Sequence, residues 1–276
     1  MGANTVFIND TFIAADKASL LITDLSIQRG YGIFDFFKTI GNRPIFLEDH
    51  LDRFYQSAQK MHLEVSQTRA ELKAILADLM ERNEIPDSGI RMTLTGGYST
   101  DGYLLTSSPN LIITQQPLTL SMEPNPQGLS LMTYNYQRQL AESKTIDYSM
   151  AIWLQPFIKS YGADDVLYHH EGMLREVPRA NFFMVNADNQ VITAKSNVLK
   201  GITRKHILNL ADSGYSIMER DFSLEELAEA SEAFITSTTK HIFPVTKIDG
   251  VAVGDGQPGK VSAKLLELLV AKLKQH

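Results

Sequence analysis

The chain has 276 residues, 43% of them hydrophobic and 21% charged, with a net charge of −6 and no cysteine. That length holds one large domain or two modest ones with an adequate core. The charge disfavours nucleic acid and anionic membrane surfaces as partners, and the lack of cysteine excludes disulfides, thiolate metal sites and cysteine nucleophiles. The N-terminus lacks a basic-then-apolar leader pattern, and no apolar run approaches ~18 residues, so a cytoplasmic protein without a membrane span is expected. His169 and His170 are adjacent, but no histidine spacing fits a metal motif, and no metal is expected.

"TVFINDTFI" alternates apolar and polar residues about Asn9-Asp10, and "GIFDFFKTIGNRPIF" does so about Gly41-Asn42. Both read as hairpins. Two amphipathic helices follow. "EDHLDRFYQSAQKM" carries Leu51, Phe54, Ala58 and Met61 on one face with Arg53 beside it, and "TRAELKAILADLMERN" carries Leu72, Ile75, Leu76 and Leu79. "GIRMTLTGG" and "NLIITQQPL" read as strands. "PLTLSMEPNPQG" then concentrates prolines before a closing glycine and reads as a linker.

Beyond it come the strand "LSLMTYNYQ", a polar loop and the helix "SMAIWLQPFIKSYG", with a kink expected at Pro156. "DVLYHHEG" and "NFFMVN" read as paired strands, followed by a turn at "ADNQ" and the strand "VITA". In "NVLKGITRKHILNLADSG", Ile207, Leu208 and Ala211 recur at helical spacing up to a C-cap at Gly214. "SLEE" matches a capping box of Ser223 and Glu226, "EAFITSTT" is a strand ending in hydroxyls, and "VSAKLLELLVAKL" is a closing amphipathic helix. The expected fold is α+β in two lobes: an N-terminal α/β domain over 1–117, a linker over 118–128, and a larger C-terminal domain over 129–276. A cleft between lobes is a natural place for a small ligand.

Several residues could carry chemistry. Gly201, Ile202 and Thr203 open a helix, where unpaired amides and the helix dipole favour an anion such as phosphate. A plain turn with Thr203 as N-cap is the alternative, and no Walker A pattern is present. Lys144 lies in a polar loop before an apolar helix, a setting for a nucleophilic amine or for a solvated one. Glu176 stands at the threshold of a very apolar strand and needs either Arg179 or a ligand with a protonated nitrogen. Thr236, Ser237, Thr238 and Thr239 form a hydroxyl-rich strand end, and Arg53 could clamp a phosphate or pair with Asp49 or Asp52. Together these are the parts needed to hold pyridoxal phosphate.

In the order of those motifs, over nearly its whole length, the chain resembles the class IV, fold-type IV pyridoxal-phosphate aminotransferases. These include branched-chain aminotransferases, D-amino acid transaminases and aminodeoxychorismate lyases. The resemblance of "EDHLDRFYQSA", "KTIDY" and "EVPRANFF" implies Arg53 on the phosphate, Lys144 as the Schiff-base lysine and catalytic base, Tyr148 on the cofactor's 3′-oxygen, and Glu176 on the pyridine nitrogen. That of "LKGITR" and "TSTT" implies Leu199 against the ring, with Gly201, Ile202, Thr203, Ser237, Thr238 and Thr239 around the phosphate. The C-terminal half is most similar to D-amino acid transaminases, which implies D-alanine- or D-glutamate-type donors, 2-oxo acid acceptors, and a cytoplasmic homodimer with shared active sites. The N-terminal half departs from them: Phe34 takes a tyrosine's place and "TGGYSTDGY" lacks the R-x-H pair. Arg91 in "GIRM" resembles the carboxylate-binding arginine of branched-chain enzymes, and Arg29 stands where an apolar residue is usual. Arg91 with Arg29 is therefore the expected carboxylate site, against pairing with Asp24 or Asp87. A branched-chain L-aminotransferase or an aminodeoxychorismate lyase are the alternatives.

Overall fold

The computed structural model describes residues 4–105, 108–210 and 213–275. Contacts divide the chain into two units. One comprises residues 1–119 with 143–147, and the other 120–142 with 148–276.

The first unit is built on a six-stranded antiparallel sheet in the order β2-β1-β6-β5-β3-β4, with β1 Thr5–Ile8, β2 Thr11–Ala14, β3 Gly32–Ile40, β4 Arg43–Pro44, β5 Ser88–Thr95 and β6 Leu111–Pro117. Both sequence-legible hairpins are present, because their turn residues tolerate the left-handed region: Asn9 has φ +55°, Gly41 +56° and Asn42 +63°. Short helix α1 (Leu25–Arg29) starts on Asp24, whose carboxylate accepts the Ser26 amide, and ends on Gly30. Helices α2 (Leu47–Lys60) and α3 (Arg69–Asn83) pack Leu51, Phe54, Ala58, Leu72, Leu76 and Leu79 against Ile33, Phe37, Ile90 and Met92 of the sheet. Thr68 and Glu71 close a reciprocal capping box on α3.

Strand β3 carries two different faces. Ile33, Asp35 and Phe37 alternate with Phe34, Phe36 and Lys38, so the core face holds one carboxylate and the opposite face one lysine. Residues 143–147 join this unit by extending the start of β3. Ile33 bridges Thr145, and the Phe34 amide donates to the Lys144 carbonyl at 2.9 Å. The Ile146 amide donates to Gly32, whose missing side chain leaves room for the Leu94 carbonyl and the Ile146 side chain.

The second unit is built on a mixed sheet in the order β13-β12-β11-β14-β15-β7-β8-β9. Its strands are β7 Leu129–Asn135, β8 Asp165–His170, β9 Met173–Leu174, β11 Ala180–Val185, β12 Val191–Thr193, β13 Ile217–Glu219, β14 Glu232–Ser237 and β15 His241–Ile248. β10 (Glu176–Val177) pairs with β11, and β16 (Val251–Ala252) with β15. Its core gathers Leu131, Leu167, Phe182, Met184, Ile192, Phe222 and Ile235. Helices α4 (Ser149–Trp153), α5 (Gln155–Tyr161), α6 (Ile202–Leu208), α7 (Leu224–Ala228) and α8 (Lys260–Gln275) complete the unit. Ser223 and Glu226 form the expected capping box on α7.

Three sequence expectations are corrected. β8 does not pair with β11; it runs parallel to β7, and β11 lies between β12 and β14. The apolar helix after Lys144 does not bend but breaks at Leu154, so that Pro156 lies in the first turn of a new helix, where its missing amide costs nothing. Helix α6 is shorter than its apolar spacing suggests: it ends at Leu208 with Asn209 as C-cap, and its N-cap is Gly201 rather than Thr203. Ala211 lies outside the described residues, and Gly214 falls beyond the helix.

Candidate active site

In the first unit, Lys144 is fixed through its backbone. Its carbonyl receives the Phe34 amide, and its own amide donates to Ser57 Oγ on α2 at 3.2 Å. Its side-chain amine lies 4.5 Å from the centroid of the buried Phe34 ring, and the Arg91 guanidinium carbon lies 3.9 Å from the same centroid. Three of the predicted residues thus meet on one aromatic plate. An electron-rich ring attracts a cation placed over it. Among the described residues, neither Asp24 nor Asp87 pairs with an arginine. Asp24 is buried and accepts from Ser26, Thr95 and Asn110, while Asp87 accepts the Gly41 amide. Arg29 is not part of the Phe34 group; it is exposed at the end of α1 and donates to the Gln28 carbonyl.

Arg53 projects from α2 to the core face of β3, where it grips Asp35 with two nitrogens, Nε to Oδ2 and Nη2 to Oδ1, each at 2.8 Å. The carboxylate it grips is thus Asp35, not the Asp49 or Asp52 of the alternative reading. His50, one turn earlier, shares the carboxylate through Nδ1 at 2.7 Å. Burial alone would raise the Asp35 carboxyl, but the Arg53 and His50 contacts outweigh it and hold it well below the carboxylate range. Burial also pushes the His50 imidazole down, against the pull of Asp35, with Arg53 and Lys144 adding to the fall. Nη1 of Arg53 makes no hydrogen bond among the described residues. A fixed fork with one edge left over can take an anion.

In the second unit, Glu176 is buried and is held by Arg138, not by Arg179. Arg138 Nε donates to Oε1 at 2.7 Å, and the Leu199 amide donates to Oε2 at 2.9 Å. Burial opposes the charge on Arg138, but the adjacent Glu176 and Tyr148 raise the guanidinium pKa above its ordinary value. Arg179 is 74% exposed and lies 3.7 Å from Asp165. Asn181, directly opposite Glu176 in the β10–β11 pair, ties the next turn down, donating to the Leu199 carbonyl at 2.7 Å and accepting the Gly201 amide at 3.1 Å. A Cβ on Gly201 would sit 2.1 Å from Asn181 Oδ1, so only glycine permits this approach.

Gly201 offers no side-chain cap, so the Ile202 and Thr203 amides open α6 without an intrahelical partner. At the end of β14, Ser237 Oγ accepts the Lys240 amide at 3.0 Å, Thr238 is half-buried and Thr239 exposed. Tyr148 heads α4 and lines a cavity of about 710 Å³ with Ile152, Gln155, Pro178 and Arg179. Sequence reasoning missed Asp35, His50, Arg138 and Asn181. Asp35 had a signal, a lone carboxylate in an otherwise apolar strand, which must find a partner.

The chain belongs to the amino-transferase class IV family, whose model matches residues 32–248. Over 98% of its length it is 28% identical to a D-alanine aminotransferase of Listeria monocytogenes, covering 96% of that protein, and over 93% it is 26% identical to a D-alanine aminotransferase of Bacillus licheniformis, again covering 93%. Among solved structures, the Escherichia coli branched-chain amino acid aminotransferase superposes with a TM-score of 0.89 at 24% identity, covering 98% of this chain and 94% of that one. A T.th. branched-chain amino acid aminotransferase, solved with pyridoxamine 5′-phosphate, gives 0.89 at 22%, covering 99% and 95%. The α+β architecture is that of fold-type IV.

Proposed function

We propose that this aminotransferase uses pyridoxal 5′-phosphate to move an amino group between a D-amino acid, of the D-alanine or D-glutamate type, and a 2-oxo acid such as pyruvate or 2-oxoglutarate. The observation that carries the reading is the meeting of the Lys144 amine and the Arg91 guanidinium on the Phe34 ring: a base for Cα and a fork for the α-carboxylate on one rigid strand pair. The 26–28% identity to D-alanine aminotransferases supports the substrate class.

The donor set fits the cofactor. The buried Glu176 has a charged partner on one oxygen and an amide on the other, and each oxygen keeps a lone pair for a pyridine N–H. The Ile202 and Thr203 amides and the remaining Arg53 nitrogen suit a phosphate dianion, with Gly201, Ser237, Thr238 and Thr239 shaping the turns around it. When bound, the cofactor supplies an electron-withdrawing ring that stabilises negative charge at the substrate Cα.

Each residue then has a role. Lys144 Nζ would hold the cofactor and would serve as the base for the substrate Cα proton. Glu176 would hold a proton at the ring nitrogen, Tyr148 would hydrogen-bond the 3′-oxygen, and Leu199 would pack against the ring. Arg91 receives the α-carboxylate over Phe34, joined by Arg29 of the partner subunit in a cytoplasmic homodimer. The test is a set of single-turnover half-reactions with D- and L-alanine, D- and L-glutamate and L-leucine. Reaction with the D-isomers is expected, and preference for L-leucine would move the assignment to the branched-chain alternative.

A further inference from the structure

Among the described residues, three buried side-chain polar atoms have no hydrogen-bond partner: His169 Nδ1, Arg204 Nε and Thr236 Oγ. Arg204 is otherwise held by Glu219 and the Ala194 carbonyl. For Thr236 the unpartnered atom is the entire polar content of the side chain, and the residue is 2% exposed. A buried hydroxyl without a partner is unfavourable, and valine has the same shape without that cost.

The register says what the hydroxyl lies beside. Thr236 stands directly opposite Asn181 in the β11–β14 ladder, so both side chains project from the same face of the sheet. Asn181 is the residue that fastens the Leu199 carbonyl and the Gly201 amide. Thr236 therefore lies on the sheet face to which the turn that opens α6 is fastened. The next pair along this face is apolar: Phe183 and Phe234 stack with centroids 4.9 Å apart and offer the Thr236 hydroxyl no partner.

We infer that Thr236 is a further phosphate-binding residue, its hydroxyl held without a partner in the ligand-free protein and donated to a phosphate oxygen when the cofactor binds. A threonine can bring its hydroxyl to the turn by one χ1 rotation that exchanges it with the methyl. The inference rests on the cofactor reading above.

The test compares Thr236→Val with wild type on ligand-free protein. The variant should melt at or above the wild-type temperature, because only an unpartnered hydroxyl is removed. Its Kd for pyridoxal 5′-phosphate, followed by absorbance and Trp153 fluorescence, should rise about tenfold or more, as for a lost hydrogen bond to a charged group. Its Kd for pyridoxal, which lacks the phosphate, should not move. Thr236→Ser and Thr236→Ala isolate the same hydroxyl without a second branch: the serine should bind within about twofold of wild type and the alanine about tenfold weaker. A lower melting temperature for Thr236→Val, equal cofactor affinity in both members of either pair, or an equal loss for pyridoxal would each overturn the assignment. Wild-type protein that binds no pyridoxal phosphate would overturn the cofactor reading itself, whereas equal binding by wild type and Thr236→Val overturns only the role of Thr236.

Discussion

Replacing Arg138 by methionine keeps a long apolar stem but leaves the Glu176 carboxylate buried with only the Leu199 amide. The two side chains are 12% and 6% exposed and meet at 2.7 Å, so solvent cannot take over from the lost partner. Removing one member of such a pair costs about 3–5 kcal/mol, because the surviving charge remains desolvated. Glu176→Gln alone should cost less, about 1.5–3 kcal/mol, since a neutral amide keeps a hydrogen bond to either partner. The double variant strands no charge and should be more stable than Arg138→Met by at least ~1 kcal/mol, a positive coupling in the cycle. The assay is urea denaturation of the ligand-free protein followed by Trp153 fluorescence. Trp153 is the only tryptophan and lies in the same unit as the pair, so its signal reports that unit's unfolding. Singles that add without coupling, or an Arg138→Met cost below ~1 kcal/mol, would show that the Arg138–Glu176 contact behaves as a solvated surface pair.

Lys38 offers a pH test of the first unit. It is 3% exposed, and burial pulls its amine down to about 7, so above that pH the unfolded chain binds the extra proton and stability rises with pH until the free lysine also titrates. Between pH 7 and pH 9 the gain should be about 2 kcal/mol, absent in Lys38→Met; identical slopes for the two proteins would exclude it. Lys144→Ala should bind pyridoxal phosphate only reversibly, give no borohydride-fixed adduct and lose transamination; near-normal turnover would remove Lys144 from its role. Arg53→Ala should raise the cofactor Kd by about tenfold or more while sparing the half-reaction rate at saturating cofactor. Asp35→Asn should do the same by releasing the fork, and a collapse of rate at unchanged affinity would contradict both.

The legible parts of the fold were those whose causes are local. Asn9-Asp10 and Gly41-Asn42 announce their turns because few residues tolerate positive φ, and Ser223 and Glu226 of the capping box lie within one helical turn of each other. Strand partners are not local. The apolar run in "DVLYHHEG" says that the strand is buried but not that β7, reached by a helical crossover, lies alongside it. The overrun of α6 has a similar origin: apolar spacing continues past Leu208, but Asn209 turns its amide back onto the Lys205 carbonyl and the helix stops. For the site, residues whose type is chemically unusual in its setting could be read: Lys144 in its loop, Glu176 at an apolar threshold, Gly201 before a helix. Their supports could not. Arg138 sits in "YQRQL" like any solvated arginine, and only folding brings it to a carboxylate 38 residues away.

Those supports explain a feature common to both units. Arg53 and Arg138 are each fastened to a buried carboxylate, Asp35 and Glu176, before any ligand is considered. An arginine on a free stem would lose rotamer freedom on gripping an anion; one already locked by a bidentate or buried contact loses little. The two pairs use that rigidity in opposite senses. At Asp35 the carboxylate aligns the guanidinium, and an arginine edge is left over, which the proposed function uses for an anion. At Glu176 the guanidinium and the Leu199 amide align the carboxylate, and acceptor lone pairs are left over, which the proposed function uses for a ring N–H. Asn181 and Gly201 extend the second arrangement one turn further, because the peptide that steadies Glu176 through its amide is anchored through its carbonyl by Asn181, which also receives the Gly201 amide. A change at Asn181 therefore disturbs the Glu176 carboxylate and the opening of α6 together, although it lies in neither. The Glu176 carboxylate and the opening of α6 are joined in one hydrogen-bonded assembly.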